Sequence, residues 1–452
     1  MRELKIGTSW VRGVVGEALT PELVVDFGCA FGTWTQGTPV VIGRDSRRSS
    51  TMFRSAVVAG LLSPGCEVFD LGVCPTPLVS FAVREWGCGG GISITGSHNN
   101  YRWNALKFIG PDGTPLNPVR SRELFDIYHG STFLTASRDS LPSVCSGPAV
   151  LDRYVQNLLN PLHVDIIRKQ QFKLAVDFCN GACLSVAECF LEALGCQLKA
   201  LNEDSSNEFA HSPAPTKENM GQLSHFVRKL DVDLGAAINV DGDRVAFVTK
   251  EGVPLSSEVT LPLVARNRLQ RRPSLVVTNL STSRMIDVVA AERGQEVLRT
   301  AVGESHVVDR GFDEGATIVG EGSGGVAALP ITPTFDGLLS LGLVLETMAL
   351  TGKTLSELTS DLPHFHMRKG TVRCLPVQAY RALDGLRRVY SGIPADLTDG
   401  IRIDWEDAWL HIRSSSTEPV LRIIVEAEEG ERAESIFDEA MSKTVALVKE
   451  SQ

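Results

Sequence analysis

One arrangement of apolar and polar positions recurs three times along the chain. An apolar run at Val40-Val41-Ile42-Gly43 gives way to a polar loop with Asp45, then to helical spacing over 51–62, then to Gly65 and a second apolar run over 67–71. Leu174-Ala175-Val176-Asp177 starts the same order, through a helix ending at Leu194, then Gly195 and a strand over 197–201. Leu275-Val276-Val277-Thr278 starts it again, through a helix over 284–292, Gly294 and a strand over 296–299. Each copy reads as strand, loop, helix, capping glycine, strand, and two strands joined by a helical crossover run parallel. The repetition predicts three similar α/β domains.

The C-terminal part breaks the pattern. Apolar runs at Trp409-Leu410-His411-Ile412 and Leu421-Arg422-Ile423-Ile424-Val425 flank a polar loop, and helical spacing follows over 431–449. Two strands and an amphipathic helix read as a smaller α+β domain. At 452 residues the chain exceeds what one core holds, and the pattern divides it into domains over 1–150, 151–255, 256–367 and 368–452. The Ser- and Pro-rich segment 137–148 is the clearest linker. The longest apolar run, 338–350, is interrupted by Glu346 and is too short to span a bilayer.

Charge and composition narrow the function. A formal charge of -10 disfavours nucleic acid and anionic membranes as partners, so an anionic ligand has to be met by locally placed basic groups. The 10 cysteines are scattered, and the closest group, Cys179, Cys183, Cys189 and Cys196, lacks the paired spacing of a zinc site and the density of a disulfide scaffold. Reduced, structural thiols are expected. The start, Met1-Arg2-Glu3-Leu4-Lys5-Ile6, lacks the apolar core of a signal peptide, and a cytoplasmic protein is the expectation.

Four loops at strand ends could carry chemistry. Thr95-Gly96-Ser97-His98-Asn99-Asn100 follows the apolar run 89–94; Ser97 there is a nucleophile candidate beside His98, or the segment is a polar turn. Asn239-Val240-Asp241-Gly242-Asp243-Arg244 lies between apolar runs at 234–238 and 245–248. Its carboxylates can face one cation, and oxygen ligands suit Mg²⁺; the alternative is an Asp-Gly hairpin. Gly320-Glu321-Gly322-Ser323-Gly324-Gly325 follows 316–319. It offers an acceptor and a donor suited to sugar hydroxyls, is not followed by the long helix that a dinucleotide-binding glycine loop opens, and could equally be a structural loop. Arg413-Ser414-Ser415-Ser416-Thr417-Glu418-Pro419, with Arg422 close behind, groups two guanidiniums with four hydroxyls, a phosphate receptor or a solvated hairpin. The loops fall one per predicted domain, as a cleft built by four domains requires.

Taken in this order, the motifs resemble the α-D-phosphohexomutase superfamily of phosphoglucomutases, phosphomannomutases and phosphoglucosamine mutases. Its active-site, metal, sugar and phosphate loops match residues 95–99, 239–244, 320–324 and 413–419, and Gly7-Thr8-Ser9 with Val11-Arg12-Gly13 and Gly43-Arg44-Asp45-Ser46-Arg47 match two further segments. The resemblance implies a four-domain architecture, three similar α/β domains with mixed sheets plus a smaller C-terminal α+β domain around a central cleft. It implies an isomerase that moves a phosphoryl group between the 1 and 6 positions of a hexose or hexosamine phosphate, through phosphoserine 97 and a bisphosphorylated sugar. Mg²⁺ would be held by Ser97, Asn239, Asp241 and Asp243. Arg12, His98, Lys107 and Arg244 would serve catalysis, with Lys107 or His98 as general base. Glu321 and Ser323 would meet sugar hydroxyls, and Arg413, Ser415, Ser416, Thr417 and Arg422 the non-reacting phosphate.

Several positions depart from the family pattern. Asn239 replaces a leading Asp, which removes one negative charge from the metal loop and should lower its affinity. Trp10 replaces a usual Gly, Asn100 a Pro, Gly322 a larger residue, Ser416 a Gly or Asn, and Gly325 a His found in many members. Two rival readings follow, a phosphosugar-binding homologue with weakened catalysis and a metal-assisted phosphatase.

Overall fold

The computed structural model of the chain describes residues 4–147, 149–206, 208–415 and 418–450. The three repeats each build a sheet of the same plan. In the first, Val40–Arg44 lies between two parallel neighbours, Val68–Val73 and Gly90–Ile94, and Trp103–Ile109 adds antiparallel to the latter. In the second, Lys173–Asp177 is flanked in parallel by Gln197–Leu201 and Leu234–Ile238, with Val245–Thr249 antiparallel beyond. The third repeats it with Val276–Asn279, Val297–Thr300, Ile318–Gly320 and antiparallel Val326–Ala327. The expectation of mixed sheets built on parallel strand-helix-strand units is met.

The central strands read as unbroken aliphatic runs because both of their faces are covered; every residue of Leu234–Ile238 and of Val245–Thr249 is buried. In the first repeat the helix Pro21–Trp34, started by Thr20 as its cap and by proline at its first turn, packs on the helix Arg48–Leu62. Gly60 sets that approach: a β-carbon there would lie 2.4 Å from the Val25 carbonyl oxygen. The segment 137–148 is more than a linker, since Val144–Ser146 pairs in parallel with Val68–Val73 as an edge strand. None of its three residues is buried, which leaves little apolar signal in the sequence.

The fourth unit is an antiparallel sheet in the order His366–Arg373, Val420–Ala427, Ala408–Ser414, Ile401–Asp404, Ala395–Asp396. The helices Pro376–Val389 and Gly430–Glu450 cover it and enclose a hydrophobic core of its own.

The apolar run near 338–350 becomes the helix Gly337–Thr351, apolar on all sides and buried between the second and third units. Glu346 tolerates that setting because its carboxylate accepts from the His163 N–H at 2.7 Å, Asn267 at 2.8 Å and Arg271 at 2.9 Å. Asp336 caps the helix by accepting from the Leu339 N–H at 3.0 Å, and the Gly337 N–H donates at 2.9 Å to the Gly242 carbonyl. Among the described residues no helix is long and apolar enough to cross a membrane. All ten cysteines are unpaired.

Candidate active site

Each of the four loops occupies the same place in its sheet, the connection into an antiparallel partner strand. Residues 95–102 join Gly90–Ile94 to Trp103–Ile109, 239–244 join Leu234–Ile238 to Val245–Thr249, and 321–325 join Ile318–Gly320 to Val326–Ala327. The fourth loop joins Ala408–Ser414 to Val420–Ala427. They meet at one cleft of about 1170 Å³. Arg12, Ser97, His98 and Lys107 reach it from the first unit, and Asp243 and Arg244 from the second. Glu321 and Ser323 come from the third, and Arg413, Ser415 and Arg422 from the fourth. Ser416 and Thr417 lie outside the described residues.

Ser97 sits in a turn with a φ of 48°, a left-handed conformation that a non-glycine residue keeps only when its surroundings impose it. Its N–H donates to Thr95 Oγ1 at 2.9 Å, and its carbonyl accepts from Arg47 Nη2 at 2.9 Å. Arg47 also donates to the Asn99 carbonyl and is ion-paired with Asp45. Asp45 in turn accepts from Thr95 Oγ1 at 2.7 Å and Ser50 Oγ at 2.8 Å. This buried Asp45–Arg47 pair clamps the serine loop from below. The sequence offers both residues in a recognisable segment, but nothing in their spacing tells that they face residue 97.

The Asp-Gly-Asp loop lies directly against that serine. Lys107 Nζ bridges the two carboxylates, 2.7 Å from Asp241 Oδ2 and 2.6 Å from Asp243 Oδ2. Burial and the charge of Asp243 push Asp241 up; Asp243, against the same burial, is held down by Lys107 and Arg244. Burial alone would lower the Lys107 ammonium, but Asp241 and Asp243 outweigh it and raise its pKa. Held between Asp241 and Asp243 in this way, the Lys107 ammonium favours its protonated form, which weighs against the expectation that it serves as general base.

Further positive charge surrounds Ser97. Arg12, buried and stacked on the Trp10 ring at 4.6 Å, donates to Asn99 Oδ1. Burial, with the charges of Arg47 and Arg244, pulls its pKa down to about 10. His98 has a shielded Nδ1 with no hydrogen-bond partner among the described residues. Burial first, then the charges of Arg244, Arg12, Lys107 and Arg422, hold its pKa well below 6.5. On acidification below that value the unfolded chain takes up a proton that native His98 refuses, so stability falls with pH by up to about 1.4 kcal/mol per unit from this group. We expect His98→Asn to flatten the denaturation free energy between pH 6.5 and 5, and an unchanged slope would count against a neutral imidazole.

At the sugar loop Glu321 Oε1 accepts from the Gly303 N–H at 2.8 Å, and Ser323 donates to Glu321 Oε2 at 3.3 Å. Gly322 has a specific reason to lack a side chain: a β-carbon would fall 1.9 Å from Glu258 Oε2. Glu258 is buried at the cleft wall and holds Lys369 of the fourth unit at 2.7 Å. We expect Gly322→Ala to dislodge this pair and lower kcat/KM for a phosphosugar on the order of 10-fold, read from steady-state kinetics beside an unchanged circular dichroism spectrum. Gly325 is similarly excluded from carrying the histidine of other members, since its β-carbon would meet the Phe335 ring at 2.3 Å. At the phosphate loop Arg413 Nε donates to Asp399 Oδ2 at 2.8 Å, Arg422 Nη2 to Glu418 at 2.7 Å, and Arg422 Nε to Ser415 Oγ at 3.4 Å. Glu258, Lys369, Asp399 and Glu304, which accepts from the Phe335 N–H at 2.7 Å, are cleft residues that sequence reasoning missed. They stand outside the motifs, and only the folded chain brings them in.

Comparison with known proteins decides the family. Models of phosphoglucomutase/phosphomannomutase α/β/α domains I, II and III match residues 3–135, 152–252 and 256–365, and that of the C-terminal domain matches 374–443. The chain belongs to the phosphoglucomutase/phosphomannomutase family. It is 36% identical to the "Probable phosphoglucosamine mutase" of Methanopyrus kandleri, covering 98% of both chains. It is 32% identical to the "Phosphoglucomutase/phosphomannomutase" of Thermococcus kodakarensis, covering 96% of both. Its structure is similar to that of a phosphoglucomutase/phosphomannomutase family protein from Burkholderia thailandensis, with a TM-score of 0.84, 27% identity, and coverage of 97% and 96% of the two chains.

In this member of the phosphoglucomutase/phosphomannomutase family, the Asp-Gly-Asp loop arranges its donors otherwise than the sequence reading expected. Asn239 was expected to turn its amide oxygen to a cation beside Asp241, Asp243 and Ser97. Instead Oδ1 accepts from the Arg244 N–H at 3.0 Å, while Nδ2 donates to Asp241 Oδ1 at 2.8 Å and Asp243 Oδ1 at 2.6 Å and lies 3.3 Å from Ser97 Oγ. As arranged, the residue is a hydrogen-bond donor, and among the described residues no group of three His, Cys, Asp or Glu side chains is placed to hold a metal.

Proposed function

We propose that the protein is a phosphosugar mutase, moving a phosphoryl group between the 1 and 6 positions of a hexose or hexosamine phosphate with Ser97 as the carrier. The observation that carries this reading is a concentration of Arg12, Lys107, Arg244, Arg413 and Arg422 in one cleft of a chain with a net charge of -10. A sugar bearing phosphate at both ends is the kind of ligand that needs cations at both ends of a site and hydroxyl partners such as Glu321 and Ser323 between them.

Phosphoserine 97 would present its phosphoryl group to the free hydroxyl of the bound monophosphate. The bond from phosphorus to Ser97 Oγ breaks as the bond to the sugar oxygen forms. Arg12 and Lys107 face the charge that builds on the transferring group and on the departing serine oxygen. The proton that the sugar hydroxyl loses is matched by the one that the departing Ser97 oxygen gains. A bisphosphorylated sugar results. Reversed end for end, it places its other phosphate at Ser97 while Arg413, Ser415 and Arg422 hold the first, and return of that phosphate to Ser97 completes the exchange.

The family resemblance also brings Mg²⁺ to this reading. Asp241, Asp243 and the Ser97 hydroxyl would be its oxygen donors, but the third expected donor is an amide aimed with its nitrogen inward, so the arranged set does not fit and no step is routed through the ion.

The test is conversion of glucose 1-phosphate and glucosamine 1-phosphate to their 6-phosphates with a trace of the bisphosphate, alongside mass spectrometry of the peptide holding Ser97. Isomerised sugar with a phosphorylated Ser97 is expected. Inorganic phosphate released in excess of isomerised sugar, or binding without turnover, would overturn the reading.

A further inference from the structure

The point at which a cation would bridge Ser97, Asp241 and Asp243 is already occupied by donors belonging to the chain. All four carboxylate oxygens are engaged: the two Oδ1 atoms by Asn239 Nδ2, at 2.8 and 2.6 Å, and the two Oδ2 atoms by Lys107 Nζ, at 2.7 and 2.6 Å. Thr76 Oγ1 adds a further contact to Asp241 at 3.2 Å.

The direction of the Asn239 amide is fixed from behind. Turning it over would set its NH₂ against the Arg244 N–H, donor to donor, and its oxygen against two carboxylates, acceptor to acceptor. Asn239, Asp241 and Asp243 are buried, and buried polar groups without partners are strongly disfavoured. Charge points the same way. Two carboxylates face Lys107 and Arg244, the latter with its Nε 3.6 Å from Asp243. With Glu304 facing Lys107 and Arg12 facing both aspartates, three carboxylates meet three cations, and a dication added to that balanced set would leave a buried excess of positive charge.

We infer that Asn239 and Lys107 together take the place of the divalent cation in this chain, so that the Ser97 centre neutralises its phosphate with protein donors and binds Mg²⁺ only weakly. The statement about binding stands on the geometry alone; its consequence, turnover that survives removal of divalent ions, rests on the mutase reading.

The single change that should reverse the arrangement is Asn239→Asp, which replaces the inward N–H by a third carboxylate oxygen and leaves an acceptor for the Arg244 N–H. Mn²⁺ alone is the probe, titrated into metal-free protein and followed by electron paramagnetic resonance and calorimetry. We expect no saturation of the wild type below about 1 mM and binding on the order of 100-fold tighter for Asn239→Asp, since affinity of an oxygen site follows its ligand charge. A wild type that binds Mn²⁺ in the micromolar range overturns the inference whatever the variant does, and so does an Asn239→Asp protein that binds no better than wild type. Should that variant fail to fold, Lys107→Ala is the second test. Freeing both Oδ2 atoms should tighten Mn²⁺ by about 10-fold or more, and no gain overturns the inference. Loss of all mutase turnover in wild type, with weak Mn²⁺ binding intact, would instead sink the mutase reading and leave the binding result standing.

Discussion

Replacing Ser97 by alanine should leave a folded protein that interconverts hexose phosphates at least about 10³-fold more slowly, a loss of about 4 kcal/mol of transition-state stabilisation. The change removes the oxygen proposed to carry the phosphoryl group and touches little else. The turn is held through the backbone N–H and carbonyl of residue 97, by Thr95 and by Arg47, and alanine keeps both groups. Only the 3.3 Å contact from Asn239 Nδ2 is lost. A melting temperature close to that of the parent, together with a collapsed rate and no phosphopeptide, is the expected pattern. A variant as fast as the parent would mean that the phosphoryl group travels by another route.

The second large effect is expected at Lys107. Its ammonium is the partner of two buried carboxylates at 2.7 and 2.6 Å, and removing one partner of a buried ion pair costs about 3–5 kcal/mol because the remaining charge is stranded. Lys107→Met should therefore lose that much stability in chemical denaturation and drop in kcat by about 100-fold or more, having lost a cation that faces the transferred phosphate. The sign with pH is informative. The folded pKa of Lys107 lies above its ordinary 10.5, so its stabilising effect is complete below that value and is lost only as pH rises through the folded pKa. The difference between parent and variant should thus be level from pH 6 to 9. Adding Asp243→Asn to Lys107→Met should restore part of the stability, since it removes one of the stranded charges. A Lys107→Met protein as stable as the parent would show that the triad is not the tight unit described above.

Much of this architecture was legible in the chain because the three repeats carry their topology in their periodicity. Buried parallel strands are uniform aliphatic runs, and the glycines at 65, 195 and 294, all with positive φ, mark where each helix turns back into the sheet. The loops were legible for the same reason, since each interrupts a pair of such runs. What sequence did not carry was orientation. That Asn239 points its nitrogen inward depends on one backbone N–H five residues on, and that Lys107 is locked as a cation depends on two carboxylates more than a hundred residues away. Glu258 is one more polar residue at a helix entrance until Gly322 is seen to clear space for it. The edge strand Val144–Ser146 went unread because its residues are mostly exposed, and exposure removes the alternation that periodicity relies on.

The fourth unit encloses its own hydrophobic core, whereas the helix Gly337–Thr351 binds the second and third units into a shared one. Its attachments to the third unit described here are polar. Lys369 reaches Glu258, Asp399 accepts from the Val302 N–H at 3.1 Å, and Ser281 meets His411 Nδ1 at 2.8 Å. Arg284 reaches across to Asp404 and the Trp405 carbonyl. Contacts of this kind can be exchanged for water at small cost, while a continuous apolar core cannot. Arg413 and Arg422, proposed to hold the far phosphate, are thus carried on the detachable piece of the molecule, and on that proposal ionic strength becomes a handle on how long a half-finished product is kept from escaping.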